Sequence, residues 1–239
     1  MARSSPHDKS VRLWDASTGA CLQSLSIDKD KGVDELAFSP DGSRFYIKLF
    51  YSCSIYDTET YTHIEDVDAV SWAMSRQGDR IVTTTETDKA RVKVWNATTG
   101  QELLAINEGQ TQPGLVTFSP DGGEVLLTCE ANETVSIYDS WTGQLRRTLR
   151  PSNIPRFVMY SPDGKHVVFV DEHKGVEVYG GKSGAFVGKV EGYGDNAKCH
   201  AAQLLPDGQT LLLHHSIGGP RGDDRHVHLY NIRDLVRIR

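Results

Sequence analysis

Residues 114–149 carry the alternation of hydrophobic and polar positions that organises the whole chain. The run Gly114-Leu115-Val116-Thr117-Phe118 meets the turn Pro120-Asp121-Gly122, in which Pro fixes φ and Gly accepts φ > 0. Glu124-Val125-Leu126-Leu127-Thr128-Cys129 is a second, more apolar run. A polar loop from Glu130 to Glu133 leads to Thr134-Val135-Ser136-Ile137-Tyr138, where apolar and polar residues alternate. Ser140-Trp141-Thr142-Gly143 then turns the chain into Gln144-Leu145-Arg146-Arg147-Thr148-Leu149, a weaker alternation. Short alternating runs with turn residues between them predict four antiparallel strands in a meander. No segment sustains a 3.6-residue period, so helix is predicted to be nearly absent.

The same parse repeats along the chain. Ser39-Pro40-Asp41-Gly42 recurs as Ser119-Pro120-Asp121-Gly122 and Ser161-Pro162-Asp163-Gly164, with weaker copies at Ser75-Arg76-Gln77-Gly78 and Leu205-Pro206-Asp207-Gly208. The glycines stand 36, 44, 42 and 44 residues apart. A second phrase interleaves with it: Trp14-Asp15, Tyr56-Asp57, Trp95-Asn96, Tyr138-Asp139, Tyr179-Gly180 and Tyr230-Asn231. A central run apolar on both faces cannot be covered within its own sheet, so neighbouring repeats must stack. The prediction is an all-β chain, a β-propeller of four-stranded antiparallel blades. Full blades fall at about 33–66, 69–106, 114–149, 156–190 and 199–239, five in number. Residues 10–25 supply only a third and fourth strand, half a blade, and residues 1–9 read as a flexible lead. Five full blades plus a half can leave the ring incomplete. The repeats run nearly end to end, so residues 1–239 read as one domain.

Asp8-Lys9-Ser10-Val11-Arg12-Leu13-Trp14-Asp15-Ala16-Ser17-Thr18-Gly19 resembles the WD-repeat family: an Asp before a strand ending in Trp-Asp, then a Thr-Gly turn. Weaker copies run from Asp88 to Trp95, Asn132 to Tyr138 and Asp224 to Tyr230. The resemblance implies a scaffold that binds protein or peptide on the face carrying the second-to-third and fourth-to-first strand loops. It also implies a hydrogen-bonded tetrad of Gly-His histidine, Ser or Thr, loop Asp and Trp. No blade here has the Gly-His pair, and Asn132 and His173 replace the Asp in two blades, so the tetrad is expected to be incomplete throughout. The first repeat is also similar to the C-terminal WD repeats of fungal NACHT-type receptor proteins, in which such a propeller follows an ATP-binding domain. No G-x-x-x-x-G-K-[ST] phosphate loop occurs; Gly180-Gly181-Lys182-Ser183 lacks the first Gly and sits in a strand-to-strand turn.

Charge and cysteine content narrow the function classes. The net charge of −6 argues against nucleic acid as a partner, because phosphate binding needs a basic footprint. Arg146, Arg147, Arg150 and Arg156 form a local basic cluster, read as a solvated loop. Cys21, Cys53, Cys129 and Cys199 are widely spaced, without disulfide or metal-ligand spacing, and each falls in a predicted strand. There is no secretory signal in Met1–His7, and no run approaches the ~18 apolar residues of a membrane span. A monomer in the reducing cytoplasm, with no membrane or nucleic-acid partner and no cofactor, is the expectation.

Candidate chemistry is sparse. His226 and His228 share a strand face, with His214 on the neighbouring strand, a weak candidate Zn²⁺ set beside Asp223 and Asp224; the competing reading is a polar outer blade with a long loop, Ile217–Arg225. The Pro-Asp-Gly aspartates read as turn formers, and no Gly-x-Ser-x-Gly elbow is present. Trp72 is placed on a first strand, packed between blades. Trp141 is placed in a turn, either as a surface anchor for a partner or simply packed on a blade edge. Arg150, Arg156, Tyr193 and Arg221 lie on predicted loops and are of the types favoured in binding hot spots. Two other classes stay open. One is a propeller enzyme or metal-binding propeller of quinoprotein or lactonase-like type, although first strands opening with Val33, Ala69, Gly114, Arg156 and Lys198–Cys199 offer no carboxylate ring. The other is a remnant of a larger receptor without independent function.

Overall fold

Most of the second and third runs become strands covered on both faces, whereas Arg225–Leu229 of the last repeat stays exposed. In the computed structural model, residues 2–5, 10–27, 32–86, 92–106, 113–191, 197–219 and 222–232 are described. The chain forms two compact units, Met1–Gly109 and Gln110–Arg239.

The first unit holds three sheets. The first sheet is β1 (Ala2–Ser5), β2 (Ser10–Trp14) and β3 (Cys21–Ser26) in that order. The second is β4 (Val33–Phe38), β5 (Arg44–Leu49), β6 (Ser52–Asp57) and β7 (His63–Asp68). The third is β8 (Trp72–Met74), β9 (Arg80–Thr84), β10 (Val92–Asn96) and β11 (Glu102–Ile106). In the second unit, the fourth sheet comprises β12 (Pro113–Phe118), β13 (Glu124–Cys129), β14 (Thr134–Asp139) and β15 (Leu145–Leu149). The fifth comprises β16 (Phe157–Tyr160), β17 (His166–Val170), β18 (Gly175–Gly180) and β19 (Phe186–Glu191). The sixth is β20 (Ala197–Leu204), β21 (Thr210–Gly219) and β22 (Gly222–Asn231). All pairings among the described residues are antiparallel, and a 3-10 turn occupies Glu130–Asn132. The β-propeller prediction holds at the level of blades: consecutive antiparallel meanders, four of them four-stranded and two three-stranded among the described residues, stacked within each unit.

Stacking follows the two-residue period of a strand. On β5, Phe45, Ile47 and Leu49 pack with Val11 and Leu13 of the first sheet. Tyr46, between them, points the other way and packs with Ile81 and Ala97 of the third. On β17, Val167 and Phe169 meet Leu126 and Ile137 of the fourth sheet, while Val168 and Val170 meet Leu211 and Leu213 of the sixth. Each such side chain contributes roughly 1.5–3 kcal/mol on burial, so central strands hold the blades together. Trp72 fills its expected role: its ring lies 5.7 Å from Tyr46 and its Nε1–H donates to Glu35 Oε2 at 2.9 Å. Part of the tetrad survives in the third sheet, where Trp95 Nε1–H donates to buried Thr83 Oγ1 at 2.8 Å. Asp88 lies outside the described residues.

The recurring turn phrase works as one device. Ser39 Oγ–H donates to Asp41 Oδ1 at 2.6 Å and accepts the Arg44 N–H at 2.9 Å, while Asp41 Oδ1 accepts the Ser43 N–H at 3.0 Å. Ser119–Glu124 and Ser161–His166 repeat this pattern. In the weak copy the acid moves to Asp79, which still accepts from Ser75 Oγ at 2.6 Å. Gly78 closes that turn at φ +76°, and a Cβ there would lie 2.4 Å from Pro40 Cδ of the preceding sheet. The turns therefore also set the spacing of neighbouring blades.

Two expectations are corrected. Ala2–Ser5 are not a flexible lead but a strand paired with β2, Ala2 opposite Leu13 and Ser5 opposite Ser10, so the first blade has three strands. Backbone pairing supplies what the non-alternating sequence Ala-Arg-Ser-Ser does not advertise. Within the expected loop Ile217–Arg225, residues 217–219 and 222–225 instead continue the ladder, Ile217 opposite Asp224 and Gly219 opposite Gly222. Glycines, poor strand formers by propensity, are held there by ladder hydrogen bonds. Cys21 is exposed, whereas Cys53, Cys129 and Cys199 are buried. Residues 233–239, the end of the expected blade at 199–239, lie outside the described residues.

Candidate docking surfaces

Alternating antiparallel strands deliver the loops of each sheet to two opposite ends. In the fourth sheet the β13–β14 turn and the end of β15 share one end; the β12–β13 and β14–β15 turns share the other. Trp141 sits in the β14–β15 turn, 65% exposed, with its backbone N–H donating to Asp139 Oδ1 at 2.9 Å. Arg150 follows β15, at the opposite end. These two residues therefore do not form one patch.

Carboxylates at the ends of third strands are held as turn formers. Asp15, Asp57 and Asp139, and Asn96 in their place, each accept two successive backbone N–H groups. Donors aimed at a carboxylate favour its charged form. Asp15 is held at about 2, first by Ser17 Oγ–H and then by backbone N–H groups. Asp41 and Asp163 are likewise held at about 2, first by Ser39 and Ser161.

The basic cluster is not a solvated loop, because most of it is paired. Glu124, nearly buried, accepts from Arg147 Nη1 at 2.8 Å and Nη2 at 2.7 Å, and from Arg146 Nη1 at 2.9 Å. Arg146 also pairs with Asp139, and Arg147 donates to the Gly181 carbonyl. Arg156 donates to Glu172 Oε1 at 3.0 Å and lies over the Phe157 ring. Lys198 meets the same Glu172 oxygen at 2.8 Å, the first cause of that carboxyl's lowered pKa. Strand neighbours far apart in sequence bring these charges together. Beside them a solvent-open cleft of about 240 Å³ is lined by Pro151, Asn153, Pro155, Lys174 and Glu177 among others. Tyr193 and Arg221 lie outside the described residues.

The histidine grouping differs from the expected one. His215 pairs across the ladder with His226, and its ring centroid is 5.6 Å from that of His226 and 4.6 Å from that of His228. His214, one residue out of phase, faces the other way toward His200 at 5.5 Å. A one-residue step moves a side chain to the opposite sheet face, so His214 does not join His226 and His228. Among the described residues no three His, Cys, Asp or Glu side chains converge to hold a metal. Burial, then the neighbouring imidazoles of His228 and His226, lower the pKa of His215.

Sequence reading missed one exposed pair. The β5–β6 turn consists of Phe50 and Tyr51, 61% and 58% exposed, with ring centroids 4.6 Å apart and planes at 88°. The corresponding turns of later blades are the polar Glu130–Glu133 and Asp171–Lys174. Two aromatics in a position where repeats otherwise place charge was the signal available in the sequence.

No protein-family model matches the chain. It is 25% identical over 149 residues to zinc finger CCCH domain-containing protein 59 of Arabidopsis thaliana, covering 60% of this chain and 30% of that protein. Over 110 residues it is 27% identical to WD repeat and SOCS box-containing protein 1 of Homo sapiens, covering 45% of this chain and 26% of that one. The chain thus spans under a third of the length of these curated relatives. Kuenenia stuttgartiensis hydrazine synthase superposes with a TM-score of 0.70 at 20% identity, over 87% of this chain and 65% of that one. KlHsv2 with loop 6CD replaced by a Gly-Ser linker gives a TM-score of 0.70 at 13% identity, over 96% and 80%. The fold is of the β-propeller type. At these identities the structural likeness carries the fold alone, and the sequence likeness adds similarity to a WD-repeat protein. No helix among the described residues is long and apolar enough to cross a membrane.

Proposed function

We propose that this chain is a non-catalytic WD-repeat-like scaffold that binds a protein or peptide through the loops at one end of its sheets, as a cytoplasmic monomer. The observation that carries the reading is an Arg held in place at a sheet end while its side chain stays accessible to solvent. Arg156, clamped by Glu172 and laid over Phe157, is such a group, and a pre-positioned Arg loses little entropy on binding. Similarity to a WD-repeat protein supports it. The resemblance of Asp8–Gly19 to fungal receptor repeats makes partner sensing one form of the same role. Arg150, Tyr193, Arg221 and Trp141 are further contact candidates.

The test is quantitative capture of partners by the full chain against an Arg150→Glu/Arg156→Glu variant, with Trp141→Ala as a probe of the opposite end. Loss of a partner with the arginine variant alone supports docking at that end. Loss with Trp141→Ala alone moves the site to the other end. Capture of no partner by the unaltered chain rejects the scaffold reading.

A further inference from the structure

The second sheet is chemically unlike its neighbours. Residues 33–68 contain eight carboxylates, Asp34, Glu35, Asp41, Asp57, Glu59, Glu65, Asp66 and Asp68, against the two cations Arg44 and Lys48. That excess of six equals the net charge of the whole chain, −6. Both cations are engaged: Arg44 pairs with Asp57 at 2.7 Å, and Lys48 with Asp34 at 3.7 Å.

Phe50 and Tyr51 stand at the end of this sheet. Lys48 is 4% exposed, and its ammonium donates to the carbonyls of Leu49 and Phe50, which braces the turn from beneath. On the far side the Ala69 N–H donates to the Tyr51 carbonyl at 2.9 Å. The turn is thus anchored from both flanks while its two rings face solvent. Carboxylates border it on each side. Asp34 and Glu35 lie on β4, where Val33 pairs with Leu49 and Glu35 with Lys48; Asp68 on β7 pairs with Ser52. Asp34 and Asp68 are exposed.

We propose that the Phe50–Tyr51 turn and its border of Asp34, Glu35 and Asp68 are the docking site for a cationic segment of a protein partner, one bearing lysine or arginine. This rests on the scaffold reading above and names its site and partner chemistry. Aromatic faces attract ammonium and guanidinium groups, and rim carboxylates steer such groups and supply charge complementarity. An edge-to-face pair leaves ring faces open to a cation. The braced backbone means that little ordering is required when the partner arrives.

The experiment is selection of a displayed random-peptide library on the full chain, followed by anisotropy titration of the recovered peptides. The variants are Phe50→Ser/Tyr51→Ser and Asp68→Asn, whose thermal melts are expected to match the unaltered chain because the side chains are exposed. Recovered peptides are expected to be enriched in Lys or Arg. Their affinity is expected to fall at least ten-fold in the aromatic variant, and a few-fold with a shallower salt dependence in Asp68→Asn. Recovered peptides without basic enrichment, or binding unchanged in the aromatic variant, overturn this site while leaving the scaffold reading standing. Recovery of no binding peptide counts against both. Capture of vesicles or RNA in preference to basic peptides also overturns the site.

Discussion

Replacing Glu124 with Gln tests how the fourth sheet is held. Glu124 and Arg147 have side chains only 11% and 18% exposed, and they share two bonds, one to each carboxylate oxygen, at 2.8 and 2.7 Å. Gln keeps one acceptor oxygen but presents an NH₂ group to Arg147 Nη2, a donor against a donor. It also removes the charge opposing both Arg146 and Arg147. A hydrogen bond to a charged group contributes about 1.5–3 kcal/mol net, and removing one partner of a fully buried pair costs about 3–5 kcal/mol. With partial exposure weakening both effects, Glu124→Gln is expected to cost about 3 kcal/mol. For a chain of this size that lowers the melting temperature by roughly 6–12 °C. Circular dichroism melts and urea titrations read it. The double variant Glu124→Met/Arg147→Met is expected to recover at least half of the loss, because an apolar pair of similar volume leaves no unpaired charge. A Glu124→Gln shift under about 2 °C, well below that range, would refute the reasoning and show that Asp139 and the Gly181 carbonyl suffice for the two arginines.

Further outcomes follow from the same structure. Gly78→Ala is expected to destabilise by more than the ~1 kcal/mol of an ordinary positive-φ penalty, because φ is +76° and the new methyl would meet Pro40 Cδ at 2.4 Å; chemical denaturation measures it. Stability is expected to fall on acidification in two stages. The folded chain lowers the pKa of His215, so the unfolded chain takes that proton first and stability drops as pH falls below about 6.5. Asp41 and Asp163, held at about 2 when folded against 3.8 otherwise, contribute stability above pH 4 that disappears as pH falls toward 2. Melting temperature followed from pH 8 to 2 checks both stages, and His215→Phe is expected to flatten the upper one. Cys21, exposed, is expected to react with a maleimide in the native state. Cys53, whose thiol is pushed up to about 12 by burial, is expected to react only on unfolding; mass spectrometry of labelled peptides decides.

Much of the blade structure was legible because it is written in local chemistry. Ser39, Asp41 and Gly42 form a turn from their own side chains and φ preferences, so a four-residue phrase marked every blade it touched. Asp15, Asp57 and Asp139 each close a turn on backbone N–H groups two and three residues ahead, a purely local bond. Apolar runs at Arg44–Leu49 and Glu124–Cys129 identified the doubly covered strands, since only stacked sheets can bury both faces. What the chain could not announce depends on partners distant in sequence. Ala2–Ser5 have no strand pattern and become a strand through the backbone of β2. His215 rather than His214 meets His226, because the ladder register decides which face an imidazole takes. Arg146 and Arg147 look like solvated charge until β13 brings Glu124 beneath them, 22 and 23 residues away. Phe50 and Tyr51 stand among carboxylates because β4 and β7 flank the β5–β6 turn on either side. Short-range chemistry set the blades; inter-strand register and stacking, which no single segment encodes, set where charge and aromatic surface are exposed.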